Sequence, residues 1–194
     1  MAALNLRKTI GLVAFLNFAY FGVEFSVAKA IESVSLFADS IDFLEDTAVN
    51  LLIIVALGWS AKRRSFVGII LAGILLLPGI FTLWAAWHKF IAPTVPDATL
   101  LSATGFGALG INLFCAFLLV RFRHYSGSLT RAAFLSARND ALANIAIIAA
   151  GLVTLATISP WPDLIVGFGI FCMNLDAARE VFSAARNEHA KANA

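Results

Sequence analysis

Four carboxylates fall within eight residues of one apolar stretch, SLFADSIDFLEDTAVNLLIIVALGW (Ser35 to Trp59): Asp39, Asp42, Glu45 and Asp46. Acids spaced this closely bind cations or hold protons, because each repels its neighbour's charge until one of the two intervenes. On a helix Asp42 and Asp46 stand one turn apart on a shared face. Asp39 falls between them in angle, one turn further along, and Glu45 is rotated off that face by about 60° to 120°. Asp42 and Asp46 therefore make the natural inward pair, and at least one of them should hold a proton when no cation is bound. A second stretch, TRAAFLSARNDALANIAIIAAGLV, offers a partner. Asp140 is its only acid, Ser136 lies one turn before it on the same face, and Asn144 lies one turn after it. A cation or proton site is the reading these residues favour. The structural alternatives are ion pairs, of Asp42 or Asp46 with a base on another segment, or of Asp140 with Arg138 or Arg131.

The elements that must position these residues are set by composition. The 194 residues are 60% hydrophobic and 13% charged, against about 25% charged in soluble domains. Six apolar segments can be marked, at about 9–29, 35–60, 66–90, 99–120, 131–157 and 162–183, each near the roughly 20 residues a helix needs to cross a bilayer. Pro93 and Pro96, then Ser126-Gly127-Ser128, then Pro160 and Pro162 punctuate the later connections. The acids cannot sit in a loop before the second segment. A helix starting after Asp46 would keep only Thr47 to Trp59, about 20 Å at 1.5 Å per residue, against a hydrocarbon core of about 30 Å. The helix must start near Ser35 and carry the acids into the membrane, where ionisable groups usually mark ion or substrate pathways.

Charge supplies the orientation. Arg7, Lys8, Lys62, Arg63, Arg64, Arg121, Arg123, Arg131, Arg179, Arg186 and Lys191 fall on one side, and only Lys29 and Lys89 on the other. That bias predicts cytoplasmic termini, consistent with an even number of crossings. The expected fold is an all-α membrane protein of six transmembrane helices with both termini cytoplasmic. It forms a single domain over residues 1–194 with no C-terminal cytoplasmic domain. A net charge of +2, scattered through short connections, argues against nucleic acid as a partner. Cys115 and Cys172 lie in apolar runs and do not suggest a disulfide framework. Ala28-Lys29-Ala30 has the form of a signal cleavage site, but the run before it is too long and holds Asn17 and Glu24. Asn17, Asn112, Asn174 and Asp176 read as interhelical hydrogen-bonding residues. Glu24 stands apart from them, charged and placed towards the outer side with Asp39. No nucleophile–base arrangement, H-E-x-x-H or Gly-rich nucleotide loop is present, so the chain does not read as an enzyme.

The stretch FGVEFSVAKAIESVSLFADSIDFLEDTA resembles the first two helices of the cation diffusion facilitator family, in which a late glutamate precedes A-D-x-x-[HD]-x-x-x-D. RAAFLSARNDALANIAIIAAGL resembles the family's [HD]-x-x-x-D segment, and PWPDLIVGFGIFCMNLDAAREVF is similar to its sixth helix. Asn112 stands where many members carry asparagine. The resemblance implies export of a divalent transition metal by proton antiport, through an alternating-access homodimer in the inner membrane. The metal is the substrate (Mn, Fe, Co or Zn), and its ligands would be Asp42, Asp46, Asp140 and, in the fourth position, Ser136. This chain departs from the pattern in having Ser136 in place of His or Asp and in a short SAKRRS connection without histidines, and it is expected to do without the family's cytoplasmic domain. Oxygen donors without imidazole suit Mn, Mg or Ca better than Zn. The alternative is a non-transporting protein of the same fold, acting as a scaffold or metal-responsive partner.

Overall fold

The computed structural model describes residues 2–56, 80, 82–120 and 128–192, with side chains described for 6–55, 80, 82–120, 139–175 and 179. Every regular element among them is helical: α1 (Ala2–Ala30), α2 (Val34–Ala56), α3 (82–91), α4 (Ala98–Val120), α5 (Ser128–Thr157) and α6 (Trp161–Ala192). Most of the third apolar segment and the SAKRRS connection lie outside the described residues. The helix α6 runs nine residues past the expected end of its apolar segment, carrying the polar tail along as helix.

Leu6–Ala30, Ala98–Val120 and Asn139–Thr157 are each long and apolar enough to cross a membrane. The 23 residues of α2 span about 34 Å at 1.5 Å each, as long as such a crossing requires. Its carboxylates are what keep it from reading as apolar. The side chains are distributed in reverse of a soluble protein. Phe15, Phe18, Phe106, Phe117, Leu155 and Ile165 face outward, while Asn17, Glu24, Asp39, Asn112 and Asn144 are buried. A hydrocarbon solvent rewards that arrangement, since polar groups there must find partners inside the bundle. The chain is a multi-pass membrane protein.

Helix ends explain how the chain turns. At the end of α1 the Ser33 N–H donates to the Ala28 carbonyl at 2.9 Å and the Ile31 N–H to Val27 at 3.0 Å. Glu32 adopts the left-handed conformation between them, with φ 54°. This is a helix stop that usually uses glycine, so Glu32 carries a backbone cost of about 1 kcal/mol. Ser33 then begins α2, its Oγ accepting the Leu36 N–H at 3.1 Å, as an N-cap serine does. Asp97 does the same for α4, accepting the Thr99 and Leu100 N–H groups, both at 2.9 Å.

The three connections α1–α2, α3–α4 and α5–α6 meet at one end of the bundle, pinned by a buried knot. Asp163, in the first turn of α6, accepts the Val34 N–H at 2.9 Å and the Ser35 N–H at 3.1 Å. It also accepts the Ser33 hydroxyl at 2.7 Å and the Ser35 hydroxyl. Lys89 of α3 pairs with it at 2.8 Å and donates to the Glu32 carbonyl at 2.7 Å. An acid from one helix thus supplies the N-terminal cap of another, where free N–H groups and the helix dipole favour negative charge. Beneath the knot, Ala28, Leu36, Leu101, Ile147 and Ile170 form an apolar plug.

The helix α2 runs through the centre, touching α1, α4, α5 and α6. Two glycines let neighbours come close. A Cβ on Gly167 would fall 2.8 Å from the Ser35 nitrogen, and one on Gly151 would collide with the Ser102 hydroxyl. Small residues at such crossings allow backbone-to-backbone packing in lipid.

Candidate cation site

The acidic stretch lies wholly within α2 and is drawn inward, so it is not a solvated loop. Asp39 is fully buried, Asp42 and Asp46 are each 9% exposed, and Glu45 is half-buried. This order follows from helix angle, as Glu45 points off the stripe shared by the three aspartates.

Two of the aspartates are held by amides from different helices. The Asn17 side-chain amide of α1 donates to Asp46 at 3.3 Å, and the Cys115 thiol of α4 donates in turn to the Asn17 oxygen at 3.6 Å. The Asn50 amide donates to the Asp46 backbone carbonyl at 2.7 Å. One turn towards the connection end, Asp39 accepts the Asn144 amide of α5 through both its oxygens, at 3.0 and 2.8 Å. Across from Asp42 stands Asp140, half-buried on α5. Asp140 is close enough for its charge to act on Asp42, as are Asp39, Glu45 and Asp46 of α2 itself.

The expected site residues thus fall as follows. Asp42 and Asp46 share the inward face of α2, and Asp140 faces Asp42 from α5. Ser136 lies within α5 one turn before Asp140, and its side chain lies outside the described residues. Among the described residues no three of His, Cys, Asp and Glu are gathered tightly enough to hold an ion.

Two features were not foreseen in the sequence, and a third gives an expected role its partners. Asn144 shares a stripe with Asp140, yet it serves Asp39. Asn17 bridges Asp46 to α4, a specific instance of the interhelical bonding expected of it. Lys89 counted only as an outer charge, and Asp163 had no role, although a first-turn acid after Pro-Trp-Pro is a helix-start signal that could have drawn notice.

A family model described as the cation efflux transmembrane domain matches residues 10–188. No curated protein matches the chain.

Proposed function

The chain belongs to the cation efflux family, whose members move metal cations across membranes, and on that premise we propose that it exports a divalent first-row transition metal in exchange for protons. Six crossings with both termini cytoplasmic would set the connection end outward, in the inner membrane of the cell, with two copies forming the working dimer. Asp42, Asp46 and Asp140 are the ligands in this reading. Ser136 takes the fourth position, directly or through water.

The observation that carries the reading is the placement of Asp140 against Asp42. Two helices bring carboxylates within reach of each other's charge inside a bundle stoppered at its connection end, which this reading sets outward. The Asp163–Lys89 knot and the apolar plug beneath it would close the outer route, while Asp140 and Asn139, partly exposed, would be reached from the other side. A cation would enter from the cytoplasm and displace protons from these acids, since ligands must be deprotonated to bind. Rearrangement of the helices would then open the plug, and outer protons would compete the metal off. Three carboxylates without imidazole place Mn ahead of Zn in this set, with Fe and Co between them.

The test uses the full chain in proteoliposomes with an internal pH dye, challenged in turn with Mn, Fe, Co and Zn. Metal-dependent proton movement is expected in the wild type and absent in Asp46→Asn and Asp140→Asn, both correctly inserted. Wild-type rates in either variant would refute the site. Metal binding without proton movement in the wild type would favour the non-transporting alternative, for which the serine at position 136 is the specific reason.

A further inference from the structure

A second acidic group lies one turn nearer the connection end than the proposed metal ligands, and its chemistry differs. Glu24 of α1 and Asp39 of α2 are both 0% exposed. Among the described residues neither Glu24 carboxylate oxygen has a hydrogen-bond donor. Asp39 neighbours Glu24 across the packed faces of α1 and α2, so a proton on either acid would let it donate to the other. Ionised carboxylates only accept, so two of them facing each other in a dry interior leave oxygens without donors, at a cost that a proton removes. The amide of Asn144 points its N–H group, not its oxygen, at both Asp39 oxygens. That orientation suits an ionised Asp39 which also accepts the O–H of a protonated Glu24. A metal ion between the acids would instead call for the Asn144 oxygen.

Among the described residues the surroundings supply no counter-charge. The ionisable groups facing the pair are Tyr20 on α1 and Asp42 and Asp46 on α2, with Asp140 of α5 acting on Asp42. Tyr20 gives its own hydroxyl proton to the Thr104 carbonyl of α4 at 2.7 Å. On α4, Cys115 lies deeper, beside Asn17. From α6 come Val166 and Ile170, while its buried acid, Asp163, is already matched by Lys89 of α3.

We propose that Glu24 and Asp39 form a proton-binding pair separate from the metal ligands, sharing one proton that leaves when a cation arrives one helical turn away. Asp39 and Asp42 are three residues apart, about 4.5 Å along the helix. A divalent charge at Asp42 therefore bears directly on the shared proton. The plug of Leu36, Leu101, Ile147 and Ile170 lies between the pair and the connection end, so the proton exchanges outward only when that plug parts. The pair's existence stands on its own geometry. Its coupling to a cation rests on the proposed exchange.

Two measurements on the purified full chain separate these parts. Infrared spectroscopy of the metal-free protein should show a protonated-carboxyl stretch that shifts in D2O, is lost in Glu24→Gln and is retained in Asp42→Asn. Should Glu24→Gln fail to insert, Glu24→Asp keeps an acid there and should move the band without removing it. A spectrum unchanged by Glu24→Gln, or by Glu24→Asp where that is the variant used, would overturn the pair. So would loss of the band in Asp42→Asn alone. Titration with Mn in weak buffer should then release one proton fewer per ion in Glu24→Gln than in the wild type, with Mn still bound. Equal release would overturn the coupling. If wild type binds no metal, the proposed function fails, and the infrared result still decides the pair.

Discussion

Asp163 and Glu24 are both fully buried acids in a membrane bundle, and the two have opposite surroundings. Asp163 receives two backbone N–H groups, two serine hydroxyls and the Lys89 ammonium. Among the described residues the Glu24 oxygens receive no donor, and its neighbour Asp39 receives the Asn144 amide. A charge satisfied on every side resists any change of protonation or partner, which makes Asp163 a fastening. An acid left short of donors responds to the arrival of a proton or a cation, which suits Glu24 and Asp39 to exchange. The carboxylates of α2 form a graded series between these extremes, with Asp46 held by Asn17 and Asp42 facing a like charge from α5.

The sharpest way to break this contrast is to unmatch the fastening. Lys89→Ala leaves Asp163 buried without its counter-ion. Breaking a buried pair from one side typically costs about 3–5 kcal/mol. Thermal unfolding of the detergent-solubilised variant should show the largest loss of stability of any single substitution considered, or failure to insert. Lys89→Met combined with Asp163→Asn should recover much of it, because no lone charge remains. A small loss in Lys89→Ala would mean that the serine and backbone donors alone hold Asp163.

Asn144→Ala probes the other region. Asp39 would lose a hydrogen bond to an ionised group, an interaction worth about 1.5–3 kcal/mol. The destabilisation should shrink in an Asn144→Ala, Asp39→Asn double variant, since a neutral Asp39 replacement no longer needs that donor. Additive losses would show that Asn144 acts through packing alone. Asp42→Asn should move stability the other way. It removes a charge that faces Asp140, Asp39 and Asp46, and the expected gain is about 0.5–2 kcal/mol, of the size seen where function has held stability down. A higher melting temperature together with lost transport would mark Asp42 as a working residue, whereas lower stability would mark it as a structural one.

What the sequence disclosed divides along the same line. The burial of the α2 acids followed from length alone, since thirteen residues after Asp46 cannot cross a bilayer. The shared face of Asp42 and Asp46 followed from helical spacing. Position 140 was found because it holds the only acid in its stretch. The partner of Asn144 was hidden, because residues 140 and 144 lie on one stripe and the axial offset between α5 and α2 decides which aspartate each one meets. Close contacts between helices, such as Gly151 of α5 against α4 and Gly167 of α6 against α2, set such positions, and spacing within one helix does not reveal them. The Asp163 knot was hidden for a related reason. It joins residues 33–35, 89 and 163, and only the meeting of three connections at one end brings them together.

The smallest effect is expected at Asp97, and it sharpens the comparison between two helix starts. Both α2 and α4 begin with their free N–H groups turned to an aspartate. Asp97 caps its own helix and is exposed, so water replaces much of what its removal takes away. Asp97→Ala should cost about 1 kcal/mol, the usual value of a local N-cap, and Asp97→Ser should restore most of that because a hydroxyl accepts the same bonds. At Asp163 the equivalent exchange should fail. Serine is too short to reach α2 from α6, and it would leave Lys89 without a counter-charge. Melting temperatures of Asp97→Ser and Asp163→Ser measured side by side therefore isolate what a cap gains by coming from another helix. Equal shifts would reduce the knot to an ordinary cap, and a loss several times larger at Asp163 would establish it as the tie that holds α2, α3 and α6 at the stoppered end.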